Sequence, residues 1–549
     1  MHHRTSFLRS TAILHLFLLF TAAQAQPTAA DFDAALNAHF TADAPGGAVL
    51  VAQGGKVVYE RAVGLADLKT GEALSTASQF RIGSVTKQFT AVAILQLADA
   101  GKLKLEDEIQ QYIDFPRKDH PITVEHLLLH TSGIPSFTSL PVYTAKNYAE
   151  DISLKEIIAL FSELPLEFEP GTQWSYSNSG YLLLTAIVEE VSGQSWTDYT
   201  TQHLFVPAGM VHSSASTNAA PLAQEAVGYA QRDSGWVVSD PISLTWPRGA
   251  GCIRSTVGDL WKWNSSVMSG RQVPLQWLER AHSPYTLPDG SSTAYGYGWG
   301  FKNVQGIGTI EHNGGIDGFI SASLYVPEHD IYVAVLTNKE AEAATILAPQ
   351  LAAIAMGKPY GGEALPLDET LALDYTGVYL SEKEVLRYIT ADKQGLHAQR
   401  EGSRMQDLEY LGNDVFRYAG DLILLHFQRD QGRVTRARFD SRDGSEQLTR
   451  TYKPLPAPRV PIPLQNAALQ AYVGEYELAP GFILSFRAEG DRFFGRATGQ
   501  DEFEVFGDGP HSFFLTVVDA TVLFHPEADG SVRRITFNQG GAMEGKRVK

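Results

Sequence analysis

A run of prolines limits the architecture of this chain more than any other feature. Pro454, Pro456, Pro458, Pro461 and Pro463 crowd one short stretch. Each ring locks φ and removes a backbone N–H, so no helix or central strand runs through it. The stretch predicts a semi-rigid extended spacer. Composition also shifts near Gly357, where Gly357, Pro359, Gly361, Gly362 and Pro366 mark a second linker. With 549 residues, the chain has room for several domains and a large buried core.

The segments flanking the proline run resemble each other. Tyr375-Thr376-Gly377-Val378-Tyr379 matches Tyr472-Val473-Gly474-Glu475-Tyr476, and Gly432, Val434 and Phe439 match Gly530, Val532 and Phe537 at nearly the same offset. Both segments hold short alternating strands with Gly, Asp and Asn turns. The repeat is too long for a solenoid unit. The expectation is two small all-β, barrel-like domains at 367–453 and 464–549.

Residues 26–356 read differently. Gly47 to Val51 and Lys56 to Val63 are apolar runs joined by Gln53-Gly54-Gly55, a hairpin signal. An apolar helix opens at Ser84, continues through Leu97 and stops near Gly101. Val124 to His130, Leu154 to Leu160 and Tyr181 to Val191 have helical spacing. Extended segments return at Gly308 to His312, Phe319 to Val326 and Ile331 to Leu336. The hairpin and the late strands predict one antiparallel sheet with the middle helices packed on it, an α+β arrangement.

Arg4 and Arg9 precede the apolar run Ala12 to Phe20, and Ala23-Gln24-Ala25 offers a small-x-small cleavage site before Gln26. This pattern predicts an export signal at 1–25 and a periplasmic or secreted mature protein; the alternative is an uncleaved anchor. The apolar run is too short to span a bilayer, and no later segment approaches a transmembrane stretch. A net charge of −18 argues against nucleic acid or an anionic membrane surface as partner. Cys252, the sole cysteine, cannot form a disulfide within the chain and reads as a small buried apolar residue.

Three short elements carry candidate chemistry. Ser84 and Lys87 form the only Ser-x-x-Lys in the chain. Positions i and i+3 share a helix face, so a desolvated lysine there can take the proton of a serine hydroxyl and make it a nucleophile. Tyr176-Ser177-Asn178 follows a Pro170-Gly171 turn and precedes a helix from about Tyr181; taken alone, Asn178 reads equally as a helix cap and Tyr176 as a packed aromatic. His312-Asn313-Gly314-Gly315 ends a predicted strand, and alone it is a strand-end turn with an incidental histidine. Glu125-His126 and His130 put two imidazoles on one helix face, but the His-Glu-x-x-His order is absent and no third ligand is apparent, so no metal is expected. Gly296 to Gly300 lacks the strand and helix context of a nucleotide site.

The order of these elements resembles serine hydrolases related to class C β-lactamases and penicillin-binding proteins. The resemblance covers about Pro45 to Leu336. It rests on Phe80-Arg81-Ile82-Gly83-Ser84-Val85-Thr86-Lys87, on Thr123 to Gly133, on Tyr176-Ser177-Asn178 and on His312-Asn313-Gly314. It implies Ser84 as the acylated nucleophile and Lys87 as its proton acceptor. It implies Tyr176 as partner base and activator of the deacylating water. Asn178 would hold the substrate amide and the lysine. The backbone N–H groups of Ser84 and Gly315 would form an oxyanion hole, with His312 and Gly314 lining the substrate site. β-Lactamases and D-Ala-D-Ala carboxypeptidases mostly carry Lys-Thr/Ser-Gly at the third element. Here an imidazole, largely neutral above a reference pKa of about 6.5, replaces the ammonium.

The His-x-Gly variant resembles D-aminopeptidases and related esterases and peptidases, and that resemblance extends to two barrels after the catalytic domain. In that family a tail loop restricts the cleft, and Gly507 to His511 is the candidate here. The competing reading makes the barrels spacers or dimer contacts. The expectation is therefore an exported serine hydrolase that cleaves a small amide, peptide or ester through a Ser84 acyl-enzyme and needs no cofactor. The alternatives are a β-lactamase or a non-catalytic binder of peptidoglycan-like peptides. Specificity is expected in the loops Ser136 to Glu150 and Ser283 to Thr293.

Overall fold

A tight reversal starts the fold. Gly54 and Gly55 both take left-handed φ, +58° and +71°, as two-residue hairpin loops demand. They join β1 (Gly47–Gln53) to β2 (Lys56–Val63). Three further hairpin-linked strands and one edge strand complete an antiparallel sheet: β3 (Gly300–Val304), β4 (Ile307–Ile316), β5 (Phe319–Val326) and β6 (Ile331–Thr337). Their spatial order is β2-β1-β6-β5-β4-β3. The first hairpin thus closes on the last strand, with Gly47 opposite Thr337 and Gln53 opposite Ile331. This computed structural model describes residues 27–116, 119–144, 148–217, 220–341, 343–457, 459–479 and 481–549. The predicted export signal and Pro458 lie outside the described residues.

Both faces of the sheet are covered, so β1 is apolar on every position from Gly47 to Ala52 rather than alternating. One face sends Val49, Val51, Val333 and Val335 against α1 (Ala29–Asn37) and α6 (Ala343–Ala355). The other sends Ala48, Leu50, Ala334 and Leu336 into the main core, built on α2 (Thr86–Asp99), α3 (Val124–Leu128), α4 (Asn178–Ser192) and α5 (Val257–Met268). Every residue of α2 from Thr86 to Leu95 is buried. A helix buried on all sides is a core element, and this one carries Lys87 into the interior.

Two closed eight-stranded barrels follow, running from Gly377–Ser381 to Gly444–Arg450 and from Gly474–Ala479 to Ala542–Arg547. The repeated Tyr-x-Gly-x-Tyr has the same structure in each. Tyr379 Oη donates to the Tyr375 carbonyl and Tyr476 Oη to that of Tyr472. Gly377 and Gly474 sit at φ +151° and +155°, open to glycine alone. An arginine from the last strand covers each glycine: a Cβ there would lie 2.8 Å from Arg450 Nε or Arg547 Nε. Side chains fill both barrels, with Phe486, Phe493, Phe513 and Phe524 packed ring on ring in the second.

Candidate active site

Ser84 is the middle residue of a 3₁₀ turn, Gly83–Val85, that leads directly into α2. The turn is pinned from below. Ser321 Oγ on β5 donates to the Ile82 carbonyl at 2.7 Å, and the end of β4 lies flat against Gly83. A Cβ on Gly83, at φ +48°, would stand 2.8 Å from Gly315 N, and one on Gly314 would stand 2.0 Å from the Ile82 oxygen. These glycines let strand and turn meet backbone to backbone. The N–H of Ser84 lies in the first turn of a helix, where donors lack intrahelical acceptors.

Lys87 rises from α2 to 3.1 Å from Ser84 Oγ. Its amine also donates to the Ala250 carbonyl at 2.8 Å and to Asn178 Oδ1 at 2.7 Å. Both of those oxygens only accept, so in the neutral form they hold the two N–H bonds of the amine and its lone pair is left for the serine hydroxyl. Burial pushes Lys87 well below the ordinary lysine range, because desolvation disfavours the charged form. The Tyr176 and Tyr181 rings lie 4.9 and 5.4 Å from Nζ and favour the cation, but the desolvation of a fully buried side chain outweighs that attraction.

Asn178 is the first residue of α4, and the N-cap is Ser177. The asparagine is therefore free of the capping role its sequence position suggested. Its side chain bridges Lys87 and Thr138 Oγ1, and its own N–H is taken by Ser136 Oγ. Tyr176 reaches over the same spot. Its hydroxyl is shielded from solvent without a formed hydrogen bond and faces Ser84; burial raises its pKa and the serine hydroxyl pulls the other way.

His312 stands on the opposite wall. Its Nδ1–H donates to the Asn313 carbonyl at 2.6 Å, so Nε2 accepts the Tyr295 hydroxyl at 2.8 Å. Burial first, then the proximity of Lys87, push the imidazole down to about 3 against the pull of the Asn313 carbonyl. Both ring nitrogens are thus committed inside the protein, and the residue is neutral.

Ser84, Tyr176 and His312 border a cleft of about 380 Å³. Asn313, the apolar rings of Trp174, Tyr295 and Phe301, and Thr293, Ala294, Lys302 and Asp443 line it with them. Asp443 comes from the first barrel. The hairpin tip after Ser441 docks on β3 and β4: Asn303 N–H donates to the Arg442 carbonyl at 2.9 Å, and the Arg442 guanidinium forks onto Glu311, one residue before His312. This ion pair is 14% and 5% exposed, whereas Lys302 and Asp443, 3.3 Å apart, stand in solvent. The tail element at the cleft is therefore this hairpin and not Gly507 to His511, whose His511 Nδ1 bonds Tyr472 Oη inside the second barrel. His126 and His130 are used separately: His126 Nδ1 takes the Thr123 N–H at the start of α3, and His130 Nδ1 takes the Ser177 N–H. Cys252 is buried in the main core, its thiol pushed up to about 12.

Comparison with known proteins agrees with this geometry. The β-lactamase family matches residues 30–356. The chain belongs to the β-lactamase family. Its last barrel, residues 458–547, matches a domain of unknown function, DUF3471. Penicillin-binding protein 4* of Bacillus subtilis (strain 168) is 29% identical over 386 residues, covering 66% of this chain and 85% of that protein. The octameric penicillin-binding protein homologue from Pyrococcus abyssi shares the fold at TM-score 0.54 and 23% identity, over 76% of this chain and 98% of that one. The D-amino acid amidase from Ochrobactrum anthropi SV3, complexed with L-phenylalanine amide, does so at TM-score 0.52 and 23% identity, over 60% and 97%. In this β-lactamase-family chain, the loop expected to set specificity brings Ser136 and Thr138 to Asn178, whereas the Ala250 carbonyl, Tyr295 and the Arg442 hairpin were not singled out by sequence. A backbone carbonyl has no sequence signature, and the other two are not adjacent in sequence to the residues they touch.

Proposed function

We propose that the protein is an exported serine hydrolase that cleaves a small amide, peptide or ester through an acyl-enzyme on Ser84. The observation that carries this reading is the amine of Lys87, saturated by Ala250 and Asn178 on two sides and open only toward Ser84 Oγ. In the proposed sequence, Oγ attacks the substrate carbonyl as its proton passes to Lys87. The oxyanion forms between the N–H groups of Ser84 and Gly315; preorganised donors of this kind each contribute about 3 kcal/mol. Collapse breaks the bond to the leaving group, which takes a proton from the neutral Tyr176 phenol. Water then gives a proton to the Tyr176 phenolate as its oxygen attacks the acyl carbon, and collapse of this second intermediate breaks the ester bond, with Lys87 returning its proton to Ser84 Oγ as the acid leaves.

The cleft supports a small acyl donor with an apolar substituent, since aromatic rings dominate its walls. The D-amino acid amidase that shares this fold has been seen complexed with L-phenylalanine amide, a molecule of that kind. The leader pattern supports export. Among the described residues no helix is long and apolar enough to cross a membrane. A β-lactamase and a non-catalytic peptide binder remain the competing readings. A serine-reactive fluorophosphonate and a panel of a p-nitrophenyl ester, D-alanine p-nitroanilide and a chromogenic cephalosporin separate the three. Ester or anilide turnover with Ser84 labelling is expected; labelling without turnover of any panel member, or turnover confined to the cephalosporin, overturns the proposal.

A further inference from the structure

We propose that His130 is a positioning residue for Tyr176, acting through the lone pair of its Nδ1. The inference rests on the acyl-enzyme reading above.

His130 sits where glycine is the usual residue. Helix α3 ends in a Schellman turn: Thr131 N–H bonds the His126 carbonyl at 2.9 Å, and His130 N–H bonds that of Leu127 at 3.4 Å. The first residue past the C-cap of such a turn must be left-handed, and His130 is, at φ +61°. A buried side chain with a Cβ is disfavoured there, and observed backbone strain of this sort points to a task for the side chain. Packing alone does not explain the choice. The imidazole is 1% exposed, and its Nε2 has no hydrogen-bond partner. An apolar ring would fill the space without burying an unpaired donor.

What an apolar ring lacks is an acceptor. Nδ1 takes the Ser177 N–H at 3.1 Å, and the His130 carbonyl takes the Ser175 N–H at 3.0 Å. These bonds grip the chain on both sides of Tyr176. The imidazole itself lies 4.3 Å from the Tyr176 ring, centre to centre. Apart from the Ser84 hydroxyl it faces, no polar group holds the Tyr176 side chain in place. Asn178, by contrast, has its own anchors in Ser136 and Thr138, so the Ser84–Lys87–Asn178 group stands without His130. Burial first, then the proximity of Lys87 and His312, hold the imidazole neutral, which preserves the lone pair.

The test compares two substitutions in the full chain. His130→Asn keeps an acceptor the same number of bonds from the backbone and tolerates the left-handed conformation. His130→Gly suits that conformation best but offers no acceptor. Two rates are read: fluorophosphonate labelling, which reports the Ser84–Lys87 pair, and turnover of whichever panel substrate the wild type cleaves fastest, which also needs Tyr176. For His130→Gly we expect labelling within about threefold of wild type and turnover down about 100-fold, the scale of a misplacement near 1 Å. For His130→Asn we expect turnover restored to within about tenfold. Equal loss in both variants, or turnover and labelling falling together in step with the melting temperature, overturns the inference. So does unfolding of the glycine variant alone, which would assign the bond to stability. A wild type that is neither labelled nor active would instead sink the acyl-enzyme reading itself.

Discussion

A buried lysine whose pKa is lowered leaves a signature in folding that needs no substrate. Take Lys87→Met. In the unfolded chain Lys87 holds its proton up to about pH 10.4. In the folded protein burial lowers that value well below the ordinary range. Between the two values the unfolded state binds one proton more than the folded state, so wild-type stability rises with pH across this window, by about 1.4 kcal/mol per pH unit. Methionine has no proton to exchange. It also leaves the Ala250 carbonyl and Asn178 Oδ1 without their donor, a cost of about 1–3 kcal/mol each, but that cost does not vary with pH. The difference between the two proteins should therefore grow in favour of wild type as the pH rises through the window between the folded and unfolded values. Tryptophan fluorescence during urea unfolding reads the right domain, because all 8 tryptophans precede residue 300 and the barrels contain none. Parallel stability–pH profiles for wild type and Lys87→Met would mean that Lys87 keeps its proton when folded, and the proposed base would be wrong.

Three further outcomes are expected. Ser84→Ala should lose fluorophosphonate labelling and turnover with an unchanged melting temperature, since one half-exposed hydroxyl is removed; retained turnover in the folded variant refutes the nucleophile. Arg442→Met should destabilise the docked hairpin by about 3–5 kcal/mol by stranding the buried Glu311 carboxylate, and Glu311→Gln/Arg442→Met should recover most of that loss in thermal melts; equal melting points for the single and double variants would show that the pair is not buried in solution. Deleting 456–549 should leave the ratio of ester to anilide turnover unchanged, because the cleft is lined from the catalytic domain and the first barrel; a gain of bulky-substrate turnover in a folded truncation would place the second barrel at the cleft.

The fold was legible where it depended on period and punctuation. β2 and β5 occupy the spans their apolar runs predict, and the helix expected at Ser84 begins with a 3₁₀ turn and continues as α2. The Tyr-x-Gly-x-Tyr repeat was legible because its glycine answers to a local φ and its tyrosine to a contact four residues back. Ser84 and Lys87 were legible for the same reason: one turn of helix sets their distance. Asn178 was ambiguous, because a residue one position from a cap looks like a cap. The hairpin on Glu311 was not legible at all. Arg442 and Glu311 meet only after a barrel closes and then docks, and no local rule records which of many surface arginines will face a buried glutamate.

The charge state of the cleft ties these observations to substrate choice. Burial drives Lys87 and His312 toward their neutral forms, and it keeps Tyr176 protonated. Arg442 neutralises Glu311 at close range, and Lys302 faces Asp443 at the rim. The base of the site therefore presents hydroxyls, amides and rings, with no fixed charge of its own. A lysine in place of His312 would put a cation there for a substrate carboxylate. Here the same position has both nitrogens committed, one to the Asn313 carbonyl and one to Tyr295. A carboxylate brought to this wall would lose its hydration without gaining a partner, a loss that a neutral acyl donor does not suffer. On the acyl-enzyme reading proposed above, His312 would therefore disfavour free acids relative to neutral amides and esters through desolvation rather than through any attractive contact.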